Sequence, residues 1–408
     1  MTGLVEGERC PDGGSQAWLV VLGAWCAMIP SMGLLNTLAV LQAWISTHEL
    51  PDISESKLGW IFSSYVFFLF FSGAQIGPII DAYCMKLVLV PGSIAMISAL
   101  VLLSFSKEYY QILLSFGCLG GIASAVLYNC SLTAISHWFK ERRALAMGIG
   151  FTAGGLGGIT FPLIILYVAP RLGFAWTIRI IALISAVCLV VACLLLRKRL
   201  PHNKAAKVSV DLKALLDIKF GMTTAAVFLV EFAVFIPYSY ITSYALSVGF
   251  EPTQAYLLNV YLNAGAIPGR TLPGYIADRY GTFNTLCTTS LVCAILILTI
   301  WITADQHSSQ IIAFTILFGF WSGAAISLTP VSIAQVSKLE ELGKRNGTAY
   351  GIASIGCLIG IPIAGAILEA KGGGYRGLII LAGALYIAAF IAFVLARGIV
   401  GGWKITKV

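Results

Sequence analysis

Long apolar runs follow one another along almost the whole chain, and short polar segments separate them. We count twelve such runs, at residues 17–45, 57–81, 86–105, 109–136, 143–169, 174–197, 218–247, 254–277, 283–304, 309–336, 346–369 and 375–397. Each run is long enough to cross a lipid bilayer as a helix, which takes about 20 residues. A transmembrane barrel would instead alternate apolar and polar residues in segments of about ten. The pattern therefore predicts an all-α polytopic membrane protein with twelve transmembrane helices.

Composition and charge fit the same class. Of the 408 residues, 58% are hydrophobic and 11% are charged, whereas a soluble domain carries about a quarter charged residues. The net charge of +8 does not indicate a nucleic-acid partner, because the basic residues lie in short loops between the apolar runs. With both termini inside, nineteen Lys and Arg residues fall on inner segments and six on outer ends. This distribution predicts cytosolic termini, in the cell membrane or, alternatively, in the membrane of an organelle.

A basic linker divides the runs into two groups of six. The expected organisation is a cytosolic segment at 1–16, bundles at 17–197 and 218–397 joined by the linker 198–217, and a cytosolic tail at 398–408. The two bundles repeat each other, since the segment GPIID ends the second run at Asp81 and GYIADRYG ends the eighth around Asp278, 197 residues later. Such parallel repeats are typical of transporters that bind their substrate between two pseudo-symmetric bundles.

The fifth run carries a stripe of glycines. Gly150, Gly154 and Gly158 are four residues apart and lie on one face of a helix. A stripe of this kind lets another helix approach closely, either as fixed packing or as a moving interface.

Three segments resemble a known family. The G-x-x-x-D-R-x-G pattern of Gly274–Gly281 is similar to the best-known loop motif of the major facilitator superfamily. The segments DGGSQAW, from Asp12, and HWFKERRALAMGIGFTAGGLGG, from His137, resemble signatures of its monocarboxylate porter family, especially the fungal branch. The resemblance implies a secondary active or facilitative transporter of an organic acid or related small metabolite. Such a protein works by alternating access as a monomeric unit in the lipid bilayer, without a cofactor.

The charged residues at the inner ends of the spans are gating candidates. A carboxylate there can pair with a helix N-terminus or a basic residue of the other bundle and hold one conformation. The resemblance assigns this role to Asp81, Asp278, Arg279 and Arg143. The alternatives are a solvated loop for the first three and a purely topological role for Arg143.

Arg270 is the candidate substrate contact. It precedes Asp278 by eight residues, which places it about 12 Å inside the helix end. A charged side chain at that depth costs at least about 2.5 kcal/mol, so we expect it to face a central cavity and to have a partner. The partner is either an anionic substrate, which a guanidinium binds with two hydrogen bonds, or an internal acid. The resemblance favours the substrate, since the family carries an arginine in span eight.

Glu231 is the best internal partner, because it is the one acid that we place well inside a span. It is a candidate for proton coupling, for the counter-ion of Arg270, or for a neutral acid hydrogen-bonded to a neighbouring helix. Neutral polar groups would complete the cavity, and they suit a larger, partly apolar organic acid. The candidates for substrate binding are Asn36, Tyr128, Asn129, Tyr238 and Asn263.

Two positions depart from the family pattern. Asn36 stands where animal members have a lysine, and Ala266 stands where they have an aspartate. Coupling to protons, and a small monocarboxylate as substrate, therefore stay open. The alternative functions are export of a secondary metabolite and a non-transporting sensor with a transporter fold. We expect no enzyme and no metal site, because the sequence shows no nucleotide-binding P-loop, no nucleophile–base set and no metal-ligand spacing.

Overall fold

Twelve long helices make up most of the part of the chain that the structure describes. The computed structural model describes residues 12–53, 55–199, 211–304, 308–370 and 374–402. In these ranges the long helices are α1 Ser15–Leu35, α2 Lys57–Ala82, α3 Met85–Phe105, α4 Tyr109–Trp138, α5 Arg143–Leu172, α6 Phe174–Leu195, α7 Ile218–Ser247, α8 Pro252–Tyr280, α9 Thr282–Thr299, α10 Ser308–Gln335, α11 Leu342–Ala370 and α12 Arg376–Gly401. The predicted all-helical polytopic fold is confirmed.

The helix α8 differs from the other eleven in polarity. Eleven helices among the described residues are long and apolar enough to cross a membrane, and α8, with 29 residues, is not one of them. Its polar side chains Asn259, Asn263 and Arg270 are all buried inside the protein. Polar groups in a membrane are tolerated when they face other helices, so the low hydropathy of α8 reflects its position at the centre of the molecule.

The ends of the first and last spans differ from those expected. The first span ends at Leu35, and a short helix, Leu38–Trp44, follows it. The break falls at Asn36, whose side chain bonds to α5. Residues 200–210 of the linker lie outside the described residues, but Leu212–Leu216 forms one 3-10 turn before α7. The last helix continues to Gly401, past the expected end at 397, and Gly402 stops it with a φ of 75°.

The helices form two bundles, α1–α6 and α7–α12, that meet along two helix pairs. Helix α5 packs along α8, and α2 packs along α11. Glycines make both crossings close, because a Cβ at Gly77 of α2 would overlap the main chain of Gly343 in α11, and one at Gly274 of α8 would lie 2.7 Å from the oxygen of Ala144 in α5. Large apolar side chains such as Leu87, Val187 and Ile391 remain exposed on the outside, as expected of a surface that faces lipid.

Candidate substrate site between the bundles

The guanidinium of Arg270 lies at the interface of the two bundles. The residue is 1% exposed, and its Nη1 donates a hydrogen bond of 2.6 Å to the main-chain oxygen of Phe151 in α5. The hydroxyl of Tyr238 in α7 also interacts with the guanidinium. The Nε is buried and has no hydrogen-bond partner. In the described part of the chain, no carboxylate forms a salt bridge with this side chain. The guanidinium is therefore bound by neutral groups, and its Nε–H donor has no acceptor.

The glycine stripe of α5 provides the space for this side chain. A Cβ at Gly154 would lie 2.9 Å from Nη1 of Arg270, and a Cβ at Gly158 would lie 2.6 Å from Oδ1 of Asn263. The stripe therefore seats polar side chains of α8 from the opposite bundle. The sequence showed the stripe but not its occupant, because the spacing of glycines does not reveal which helix lies against them.

Three asparagines form a hydrogen-bond network at the interface of the two bundles, beside Arg270. The side chain of Asn36 donates to the oxygen of Gly154 at 2.9 Å, and its main-chain oxygen accepts from Asn259 at 3.2 Å. Asn263 donates to the side chain of Asn259 at 3.0 Å. Sequence reasoning missed Asn259, although it lies one helical turn before Asn263. The network joins α1, α5 and α8.

A small cavity lies next to the guanidinium. Its volume is about 20 Å³, and its lining comprises Met32, Leu35, Asn36, Phe70, Tyr128, Glu231, Val234, Phe235, Tyr238, Arg270 and Ile326. A space of this size holds about one water molecule, so the two bundles must move before an organic molecule fits. Four of the six predicted substrate-binding residues meet here, with Glu231 beside them. The other two do not line the cavity. Asn263 is buried in the asparagine network, and Asn129 donates to the main-chain oxygen of Ala125 in its own helix.

Glu231 lines the same cavity but forms no ion pair with Arg270 in this structure. The residue is 2% exposed. Its Oε1 accepts a hydrogen bond of 3.3 Å from the hydroxyl of Thr329 in α10, which also bonds to the hydroxyl of Tyr350 in α11 at 2.9 Å. The carboxyl group is thus connected to neutral hydroxyls of two neighbouring helices.

Aromatic rings surround the cavity and cross the interface. Tyr128 of α4 lies edge-on to Tyr350, with ring centroids 5.7 Å apart. Phe70 of α2 stacks on Tyr350 at 5.4 Å and an interplanar angle of 12°, and it meets Phe235 of α7 at 6.1 Å. Sequence reasoning missed Phe70, Phe235 and Tyr350, because each lies in an apolar run with no signal for its direction.

Two carboxylates join the bundles on the side of the molecule where α1 begins and α12 ends, here called the termini side. Asp278 of α8 accepts from the amides of Ala144 and Leu145 at 3.0 and 2.9 Å. Asp81 of α2 accepts from those of Gly343 and Lys344 at 3.2 and 2.8 Å. Each carboxylate caps the first turn of a helix in the other bundle, where the helix dipole favours a negative charge. We call them the interbundle caps.

The two predicted gating arginines adjoin the Asp278 cap, since Arg143 precedes Ala144 and Arg279 follows Asp278. Arg279 is exposed, and its guanidinium covers the ring of Tyr275 in its own helix at 4.3 Å. Arg143 donates from Nε to the oxygen of Phe139 at 3.0 Å, within its own bundle. A lysine that sequence reasoning missed supports the Asp81 cap, since Lys198 donates to the oxygens of Ile80 and Asp81 at 3.0 and 2.7 Å.

The segment that precedes α1 also has a structural role on the termini side. The carboxylate of Asp12 accepts hydrogen bonds from the amides of Lys140 and Glu141 at 2.6 and 2.7 Å. The DGG segment therefore holds the α4–α5 loop in place. A second cavity, of about 730 Å³, opens between this loop and the α10–α11 loop, and Lys140, Arg199, Asp278, Gln335 and Lys338 are among its lining residues.

Comparison with known proteins shows the same architecture in transporters. The sequence matches the Major Facilitator Superfamily over residues 20–311 and 265–401. It is 36% identical to the MFS transporter asaE of Aspergillus flavus over 96% of this chain and 88% of that protein. It is 36% identical to a fujikurins efflux protein of Gibberella fujikuroi (93% and 82% covered), and 30% identical to the riboflavin transporter MCH5 of Saccharomyces cerevisiae (98% and 81% covered).

Among solved structures, the human organic anion transporter MFSD10 has a similar fold. The TM-score is 0.71, with 16% sequence identity, over 96% of this chain and 100% of that one. Such a likeness in fold agrees with the two-bundle arrangement described above, and the sequence matches the superfamily along nearly the whole chain. The chain belongs to the Major Facilitator Superfamily.

Proposed function

We propose that this protein is a secondary transporter that moves an organic anion across the membrane by alternating access, with Arg270 as the anion contact. The observation that carries the proposal is the buried guanidinium with an unused Nε and no carboxylate partner among the described residues. Leaving a buried charge without a counter-ion costs several kcal/mol. A carboxylate of the substrate would supply the missing charge and acceptor.

The interbundle caps support alternating access. Both caps lie on the termini side, which the distribution of basic residues assigns to the cytosol, and both join the two bundles. Breaking them would let the bundles separate there and open the central cavity toward the 730 Å³ cavity. In this proposal Asp81 and Asp278 are the gating residues, while Arg143 and Arg279 have secondary roles.

Proton coupling through Glu231 is a further part of the proposal. Glu231 lines the cavity beside Arg270 and is bonded to Thr329. The aspartate and lysine positions of the monocarboxylate porters hold Ala266 and Asn36. Glu231 is the one acid among the residues that line the cavity beside Arg270. Protonation would turn its carboxylate into a neutral acid that can still bond to the hydroxyl of Thr329.

Export of a secondary metabolite is the second candidate for the direction of transport. The observation that favours it is the 36% identity to a protein named for the efflux of fujikurins. Similarity alone does not assign the direction of transport, because the riboflavin transporter is 30% identical over an even larger share of the chain. Direction depends on the gradients as well as on the protein, so the same site serves either direction.

Counterflow in proteoliposomes tests the proposal. Vesicles loaded with unlabelled acid are diluted into the labelled acid, for a panel of organic acids, with and without a pH gradient. We expect accumulation of at least one acid, its loss in Arg270→Ala, and its retention in Arg142→Ala, whose side chain is exposed on the termini side. Binding without any flux would instead favour the sensor, and equal flux in the two variants would refute the role of Arg270.

A further inference from the structure

The centre of the molecule is filled by aromatic rings that belong to both bundles. Phe70 and Tyr128 come from the first bundle, and Phe235 and Tyr350 come from the second. Three ring contacts between these four residues cross the interface. Phe70 and Tyr350 are 4% and 3% exposed, so their faces contact protein rather than solvent. This packing leaves only about 20 Å³ of free space beside Arg270.

The pair Phe70–Tyr350 differs from the other contacts in geometry. Its rings lie at 12° to each other, whereas the other two contacts that cross the interface lie at 65° and 89°. Of the three ring contacts that cross the interface, the Phe70–Tyr350 contact is thus the one with nearly parallel rings. Tyr350 is held in place by the bond from its hydroxyl to Thr329, which in turn bonds to Glu231. The stacked pair therefore has one ring from each bundle, Phe70 from the first and Tyr350 from the second.

The stacked pair is connected to the anion contact. Phe70 and Arg270 line the same cavity. The oxygen of Phe151 accepts the bond from Arg270, and the ring of Phe151 lies against Tyr128 at 5.9 Å, which lies against Tyr350. A ligand that bonds to Arg270 therefore has aromatic faces from both bundles around the rest of its structure.

We propose that the transport site takes a planar, conjugated organic anion, whose ring replaces the mutual stacking of Phe70 and Tyr350 while its acidic group binds Arg270. The inference rests on the proposed function and narrows its substrate class. When the bundles separate, the two parallel faces lose their contact. A flat ring restores a stacked contact on each face, because offset parallel rings are a favoured arrangement of aromatic groups. A saturated ring of the same size presents axial hydrogens and cannot stack on both.

Binding of two matched acids tests the inference. The probes are 2-naphthoate and decahydro-2-naphthoate, which share the carbon skeleton and the charge and differ in planarity. Calorimetric titration of the purified full chain should give a dissociation constant about tenfold lower for 2-naphthoate, the effect expected from two added ring contacts. In Phe70→Leu, and separately in Tyr350→Leu, one of the two ring contacts is lost and the ratio should fall to about threefold, while Phe70→Tyr should retain it.

Phe67→Leu is the matched control. Phe67 lies in the same helix and stacks on Phe71 at 4.9 Å and 14°, but it does not line the cavity. The ratio should survive in this variant. Equal affinity of the unsubstituted protein for the two acids, failure to bind 2-naphthoate, or equal losses in Phe67→Leu and Phe70→Leu would overturn the inference. Such results leave the proposed function intact if counterflow of an aliphatic acid still depends on Arg270. Loss of that dependence counts against the proposed function itself.

Discussion

Arg270 of α8 donates a hydrogen bond of 2.6 Å to the main-chain oxygen of Phe151 in α5, and the bond joins the two bundles at the centre of the molecule. The acceptor is neutral, so the bond satisfies one donor without cancelling the charge. Because the two residues belong to different bundles, a movement of one bundle against the other must stretch or break this bond. The same guanidinium is thus placed to respond to an anion and to the position of the bundles.

The first prediction concerns the charge itself. Replacing Arg270 with Gln keeps a donor for Phe151 but removes the cation, so an anionic substrate loses a charge-assisted hydrogen bond. Such bonds contribute about 1.5–3 kcal/mol, which corresponds to a loss of affinity of about 10- to 150-fold. Binding titrations with an acid identified by counterflow provide the measurement. Arg142→Gln is the control, and a loss below about threefold in Arg270→Gln would contradict the prediction.

The second prediction concerns the seat of the guanidinium. Gly154→Ala puts a methyl group 2.9 Å from Nη1 of Arg270 and 2.7 Å from Cβ of Met32, whereas Gly150→Ala meets the more mobile end of Ile135 at 3.0 Å. We expect Gly154→Ala to destabilise the protein by about 1–3 kcal/mol, and Gly150→Ala to cost less. Thermal unfolding in detergent compares them.

A double-mutant cycle separates this clash from general packing. In the Arg270→Ala background, the effect of Gly154→Ala on the unfolding temperature should shrink, because one of the atoms it meets is gone. The effect of Gly150→Ala should be the same in both backgrounds. Full additivity for Gly154→Ala would show that the guanidinium does not use this space.

The sequence predicted the architecture because each long apolar run by itself indicates one membrane-spanning helix. It also located Arg270 and Glu231, since a charge inside an apolar run is costly and must face the protein interior. It could not show which rings turn inward. In a membrane protein the positions that face lipid and those that face the core are both apolar, so the pattern does not distinguish Phe70 from Phe71, which is 42% exposed. The family's polar position in span four covers both Tyr128 and Asn129, so it does not show which of these two neighbours lines the cavity.

The third prediction concerns the interbundle caps. Losing a capping side chain costs a helix about 0.5–2 kcal/mol, so Asp278→Ala should speed hydrogen exchange of the amides of Ala144 and Leu145 by about 2- to 30-fold. Asp81→Ala should do the same for Gly343 and Lys344. Each substitution should act mainly on its own partner helix, since the two caps share no residue. Asp52→Ala, in an exposed segment, is the control, and unchanged exchange in either capping variant would refute that cap.

The fourth prediction concerns Glu231 as a proton carrier. Glu231→Gln keeps the size of the side chain and an oxygen for the bond from Thr329, but it cannot exchange a proton. If Glu231 couples transport to protons, the variant still exchanges labelled for unlabelled acid in counterflow, because that reaction needs no net movement of protons. Accumulation driven by a pH gradient is lost, since substrate movement no longer depends on protonation.

Thr329→Val is the matched control, because it removes the hydrogen bond but leaves the carboxyl group, and it should retain the response to the gradient. A Glu231→Gln variant that still responds to the gradient would exclude this residue as the carrier, and one that loses counterflow as well would assign Glu231 to substrate binding instead.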